Sequence, residues 1–267
     1  MRIAIVGNFG LAGKQTMAVR ALPIAEFLAA RRHAVLMALP VRCAEDLSGP
    51  VQRGARIRYA GKGFPVPGIS HIWQTLVLWW HCWQWRPEVV YCFKPIAYSG
   101  SVLAVYWWLR RLGLYRGSIA LDTDDWEGQG GWNERQPFPR WLKAIVAWQE
   151  KWALRHADVT TVASRALLRL AEQAGARRAI YIPNAVSGSS PGLSPPGDPD
   201  LRAKLGLAGR PTVLLYTRFV EFGVCRVLDV LEAIVSKLKE TVLLVVGEGL
   251  EGEDADLAQL AADRGLR

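Results

Sequence analysis

One stretch constrains this chain more than any other: Ala157 to Val186, ADVTTVASRALLRLAEQAGARRAIYIPNAV. Asp158 to Val162 is a short run rich in β-branched residues, which suit a pleated surface. Ser164 stands where a hydroxyl caps a helix, and Leu167, Leu170 and Ala171 recur on one side of that helix. Gly175 supplies the stop, Ala179 to Ile182 forms a second strand, and Pro183-Asn184 closes it. From Ser187 the composition turns to SGSSPGLSPPGDPD, the make-up of a linker. The expected organisation is therefore a first domain at 1–185, a linker at 186–199 and a second domain at 200–267.

The same alternation runs through the rest of the chain and implies an α/β fold built on a parallel, doubly wound sheet. Arg2 to Val6 reads as a strand, Gly7 to Lys14 as a glycine-rich turn, and Ala18 to Arg32 as a helix. Such a turn at a helix N-terminus offers free backbone N–H groups and the positive end of the helix dipole to a phosphate. Neither named phosphate-binding signature fits. Gly7 and Gly13 stand too far apart for a P-loop and Gln15 follows Lys14, while glycines at 7, 10 and 13 miss the GxGxxG spacing. Gly10 and Gly13 thus either admit a phosphate or only shape a tight turn. Further strands are expected at Ala34 to Leu39, Arg56 to Tyr59, Glu88 to Phe93 and Ser118 to Leu121, and in the second domain at Thr212 to Thr217 and Val242 to Val246.

The strand ending at Leu121 runs straight into DTDDWEGQGGW, Asp122 to Trp132. Open parallel sheets bind ligands beyond the carboxyl ends of their strands, which makes Asp122, Asp124 and Asp125 the best chemical candidates in the chain. The same residue types also cap helices and turn loops. Asp122-Thr123-Asp124 spells, in addition, the DxD by which another class of sugar transferases holds a metal-bound nucleotide. Arg218, directly after a strand, either meets a phosphate or pairs with Glu221.

Composition narrows the classes further. The four cysteines lie far apart with no CxxC pair, which argues against a zinc site or a disulfide framework and fits a reducing compartment. No metal and no cofactor is expected. The N-terminus enters a strand at once, without the charged and apolar regions of a signal peptide, so a cytoplasmic protein is expected. The net charge of +9 is uneven: through Ser190 there are 24 Lys and Arg against 12 Asp and Glu, and beyond it 9 against 12. The basic excess belongs to the first domain. No nucleic-acid motif accompanies it, which leaves an anionic membrane surface, an anionic small molecule or solvent as what that face meets.

All twelve tryptophans lie between Trp73 and Trp152. Trp73, Leu76, Trp80 and Trp83 share one helical face of the run Ile72 to Trp85. Trp141, Ile145, Trp148 and Trp152 line another helix, which also carries Arg140, Lys143, Lys151 and Arg155. Stripes of this kind face either a core or a membrane surface. The runs Ile72 to Trp85 and Ile96 to Leu109 are shorter than the about 20 residues that a spanning helix needs.

Taken in order, the glycine-rich first turn, RPEVVYCFKP, ADVTTVASRALL, IPNAV, VLLYTRF and LLVVGEG resemble glycosyltransferase family 4, of the GT-B type. The resemblance implies a complete Rossmann-like N-terminal domain on the acceptor side and a second Rossmann-like, donor-binding domain that is here partial, facing it across a cleft. It implies transfer of a hexosyl group from a nucleotide-sugar to a glycan or lipid-linked acceptor, with retention of configuration. The family's front-face substitution lets the departing diphosphate take the acceptor's proton, without a metal. By resemblance, Gly10 and Gly13 let the backbone approach the phosphates and Arg218 neutralises them; Lys14 joins them from its place in the turn. Asp124 or Asp125 occupies the place of a group that positions the sugar or the acceptor.

Two departures from the pattern set further expectations. No lysine follows Arg218 within EFGV, and the family's donor-gripping Glu-x7-Glu would come after LLVVGEG, beyond Arg267. Weak donor binding by these 267 residues is therefore expected, with a truncated, non-catalytic relative that binds a membrane or a partner as the alternative. A metal-dependent transferase using Asp122 and Asp124 is a third reading. The expected location is cytoplasmic, peripheral at the inner membrane face.

Overall fold

The computed structural model describes residues 1–11, 16–41, 54–61, 63–185, 198, 200–217, 219, 223–249 and 252–266. The chain divides into two units, Met1–Gly188 and Ser189–Arg267. Most of the stretch expected to be a linker lies outside the described residues.

The first unit is built on seven parallel strands: β1 (Arg2–Val6), β2 (Ala34–Pro40), β3 (Arg56–Ala60), β4 (Val89–Phe93), β5 (Ser118–Thr123), β6 (Val159–Val162) and β7 (Ala179–Tyr181). Their order is β3-β2-β1-β4-β5-β6-β7, so the direction of winding reverses between β1 and β4. Open sheets bind ligands at such a reversal. Because side chains alternate along a strand, β1 sends Ile3 and Ile5 to one face and Ala4 and Val6 to the other. The first face packs with Val35, Met37 and Leu39 against α1 (Leu22–Ala30). The second carries α2 (Pro67–Trp85), α3 (Ala97–Arg111), α5 (Arg140–His156) and α6 (Arg165–Gln173), with the short α4 (Trp132–Arg135) preceding α5. Leu78, Leu103 and Leu154, fully buried in that second core, each contribute about 1.5–3 kcal/mol of hydrophobic stabilisation.

The first helix starts differently from the sequence expectation. Met17–Ala21 is a π-helical turn, in which the Leu22 N–H donates to the Met17 carbonyl, and α1 proper follows it. Pro23 has no N–H to give the Val19 carbonyl, so the ladder widens by one residue just before it. A second difference matters more. β5 runs two residues past Leu121, so Asp122 belongs to the sheet, paired with Phe93 on one side and Thr161 on the other.

The tryptophan stripes resolve in favour of the surface. Trp73, Leu76, Trp80 and Trp83 on α2 are exposed, as are Trp141, Ile145 and Trp148 on α5. The core side of α2 is made instead by Gln74, Thr75, Leu78 and Cys82. Trp79, Trp85, Trp107, Trp126 and Trp152 are half-buried against the core.

The second unit holds α7 (Leu201–Lys204), β8 (Thr212–Tyr216), α8 (Val224–Val235), β9 (Val242–Val246) and α9 (Glu253–Asp263). β8 and β9 pair in parallel, with a small core around Phe219, Leu228 and Leu257.

Candidate active site

The carboxyl ends of β4 and β5 bring together a lysine and three carboxylates. Lys94 follows β4 directly, its side chain buried, and its backbone N–H donates to the Asp122 carbonyl. Its Nζ lies 2.6 Å from Glu127 Oε1, 3.0 Å from Asp125 Oδ2 and 3.4 Å from Asp124 Oδ1. Burial by itself would lower the ammonium's pKa, but Asp124, Glu127 and Asp125 outweigh it and hold Lys94 protonated. Burial raises the Asp124 carboxyl above its ordinary range, and Lys94 opposes that rise. Among the described residues, Asp124 Oδ1 accepts no hydrogen bond although it is shut off from solvent. Asp125 is more open, with its side chain 42 % exposed.

Every part of this site is held from behind. Lys94 and Ala97 both adopt left-handed backbone angles, φ 63° and 48°, which cost a non-glycine residue about 1–3 kcal/mol each. The turn persists because its neighbours over-determine it. Asn8, just after β1, donates from Nδ2 to the Ile96 carbonyl at 2.7 Å and accepts from the Ser99 N–H at 2.8 Å. The Ser99 hydroxyl donates to the Lys94 carbonyl. Gln149 of α5 accepts from the Ala97 N–H at 2.8 Å and donates to its carbonyl at 3.2 Å. Gly100 lets this layer close: a Cβ there would stand 2.7 Å from the Pro95 carbonyl oxygen. On the other side, the buried Glu150 of α5 accepts from the N–H groups of Glu127 at 3.0 Å and Gly128 at 2.6 Å. Burial pushes the Glu150 carboxyl up to about 7, against those two donors.

Asp122 does not join this group, which corrects its reading with Asp124 and Asp125 as one cluster. It points to the face of the sheet that packs against α1, where Arg20 grips both oxygens, Nε to Oδ1 and Nη2 to Oδ2, each at 2.8 Å. Thr161 donates to Oδ2 at 2.5 Å, and the Tyr91 hydroxyl reaches the same oxygen at 3.4 Å. With both oxygens engaged, Asp122 cannot pair with Asp124 around a metal in the manner of a DxD, and among the described residues no group of three His, Cys, Asp or Glu side chains is placed to hold a metal ion. Arg20 Nη1 also reaches the Ile182 carbonyl at 3.0 Å and Asn184 Oδ1 at 2.9 Å. One guanidinium therefore ties the π-helical turn, β5 and the IPN segment together. It remains charged inside the protein because Asp122 more than offsets the loss of water.

Of the other candidates, Gly10 lies buried in the turn after β1, and Gly13, Lys14 and Arg218 lie outside the described residues. Sequence reading missed Lys94, Arg20 and Glu150. Only Lys94 carried a signal, as a charged residue directly after a buried strand at the same sheet edge as the carboxylates.

Known proteins share this architecture. Alr3699/HepE of Anabaena, solved in complex with UDP, matches the whole chain with a TM-score of 0.64 at 18% identity, and the chain covers 67% of it. Sucrose-phosphate synthase of Thermosynechococcus elongatus matches the whole chain at 0.62 and 21% identity, with 68% of its own length covered. The lipopolysaccharide outer core galactosyltransferase WaaB matches at 0.58 and 14% identity, with 66% covered. At these identities the likeness establishes the fold, α/β of the GT-B type. No curated protein matches the sequence. The sequence profile of the glycosyl transferase 4-like domain matches residues 15–185, well over half of the chain, and the protein belongs to that family of glycosyltransferases.

Proposed function

We propose that this chain moves a hexosyl residue from a nucleoside-diphosphate sugar to a hydroxyl of a glycan or lipid-linked acceptor, with retention at the anomeric carbon. The observation that carries the reading is Asp124 Oδ1, a shielded carboxylate oxygen that accepts no hydrogen bond among the described residues, beside a protonated lysine at the carboxyl edge of the sheet. Such an oxygen is an acceptor waiting for a donor, and a sugar hydroxyl is a neutral one. In this reading Asp124 orients the attacking hydroxyl and Asp125, nearer solvent, takes a neighbouring one. Lys94 pairs with both. Gly10, Gly13, Lys14 and Arg218 are assigned to the diphosphate, since neutralising its charge is most of what the protein must supply. The Anabaena relative, solved with UDP and also with UDP and glucose, supports a nucleotide-sugar as donor. No cofactor enters the reading, and the work is done in the cytoplasm, at the inner membrane face.

The test is sugar transfer from a panel of nucleoside-diphosphate sugars to an extract of envelope lipids and glycans. Transfer is expected, and Asp124→Asn should lower kcat by about a hundredfold or more while the donor KM stays near its original value. An Asp124→Asn protein as active as the original would overturn the role of Asp124. Donor binding without transfer to any fraction of the extract would overturn the acceptor class.

A further inference from the structure

We propose that the outer face of α2, α3 and α5 is a docking surface for an anionic lipid bilayer. The three helices lie side by side on one face of the sheet. On α2 the residues opposite its core side are Ile69, Ile72, Trp73, Leu76, Trp80 and Trp83, between 36% and 62% exposed. Trp108 adds to this face from α3, and Trp141, Ile145 and Trp148 from α5, at 59%, 65%, 49% and 63%. So many large apolar side chains on adjacent outer faces are more than a soluble monomer leaves in water without a partner.

Charge selects the partner. α2 carries no Asp, Glu, Lys or Arg. α3 carries only Arg110 and Arg111, and α5 carries Arg140, Lys143, Lys151 and Arg155 with a single acid, the buried Glu150. Arg110 is paired with Asp158, and the charge that the three helices expose beyond that pair is positive. Two copies of such a face repel one another, whereas an anionic headgroup layer attracts it. The apolar content is rich in indoles, whose flat amphipathic rings suit the boundary between headgroups and acyl chains. No described helix is long and apolar enough to cross a membrane, so the layer lies on the bilayer.

α5 connects this surface to the candidate active site. Its outer side presents Trp141 and Trp148, while Gln149 and Glu150 on its inner side hold the Ala97 turn and the loop that follows Asp125. A docked protein would thereby hold its acceptor-binding residues close to the lipid surface. That placement rests on the sugar-transfer reading; the surface itself does not.

The test is flotation of the full chain with vesicles of phosphatidylcholine alone and of phosphatidylcholine with phosphatidylglycerol, with UDP-glucose binding measured on the same samples. Binding to the anionic vesicles that weakens with salt is expected, with a blue shift of tryptophan emission. Arg140→Gln with Lys151→Gln should weaken vesicle binding about thirtyfold, the worth of two charges at an anionic surface. Trp141→Ser with Trp148→Ser should weaken it without changing the urea midpoint, because both side chains are exposed. Equal binding to both vesicle types at low salt, or unchanged binding by either pair of variants, would overturn the proposal. A concentration-dependent dimer that the tryptophan pair dissolves, without vesicle binding, would assign the face to a second copy instead. Vesicle binding without UDP-glucose binding would leave the surface standing and count against the transfer reading; the reverse would count against the surface alone.

Discussion

Replacing Glu150 by glutamine should change how the stability of the first unit depends on pH. The Glu150 carboxyl is fully buried and accepts from two backbone N–H groups at 3.0 and 2.6 Å, yet burial still lifts its pKa from 4.5 to about 7. An acid whose folded pKa is raised binds its proton more tightly in the native state than in the unfolded one. Its contribution to stability is therefore greatest below about pH 4.5, falls as pH rises towards 7, and stays low above that. The shift corresponds to about 3 kcal/mol over that window. A glutamine at this position cannot ionise, so the substitution removes the slope; its amide also turns a donor towards one of the two N–H groups, a pH-independent cost of about 1–3 kcal/mol. The variant should thus be less stable than the natural protein near pH 5 and equal or better by pH 8. Urea unfolding followed by tryptophan emission reads this unit alone, because all twelve tryptophans lie between Trp73 and Trp152. A stability gap that stays constant from pH 5 to pH 8 would refute the reasoning.

Other perturbations bear on the same framework. Arg20→Leu strands Asp122 without its counter-charge inside the sheet and should cost about 3–5 kcal/mol in urea unfolding, part of which Asp122→Asn on the same chain recovers. Lys94→Met removes the cation that Asp124, Asp125 and Glu127 share, so its stability loss should be larger at pH 8 than at pH 5, where Asp124, its carboxyl raised by burial, more readily takes a proton. Gly100→Ala drives a Cβ against the Pro95 carbonyl and should cost about 1–3 kcal/mol in the same unfolding assay.

The strands were legible because buried parallel strands are continuous apolar or β-branched runs bounded by Gly, Pro or charged residues, as at VVYCF and VTTV. The cap of α6 was legible too, since Ser164 accepts from the Leu167 N–H at 3.1 Å, the local bond that its place in the sequence predicts. What failed depended on partners far along the chain. Nothing near Asp122 indicates that it turns inward, because the group that draws it there, Arg20, is 102 residues away. The side of α2 that meets the core was illegible for a different reason. That helix is largely apolar on both faces, Leu78 and Cys82 within and Trp73 and Trp80 without, so periodicity alone offers two equivalent stripes. Likewise Lys94 became part of the site only when β4 and β5 were seen side by side, with Phe93 opposite Asp122.

Sugar transfer requires, before anything else, that the chain hold a nucleotide-activated sugar. Ligand-observed NMR with UDP-glucose and a panel of other nucleoside-diphosphate sugars measures this directly. The account predicts saturation transfer to at least one of them at millimolar concentration, reduced when Lys14→Ala and Arg218→Ala are introduced together. No transfer to any member of the panel, or the same signal from the double variant, would contradict it.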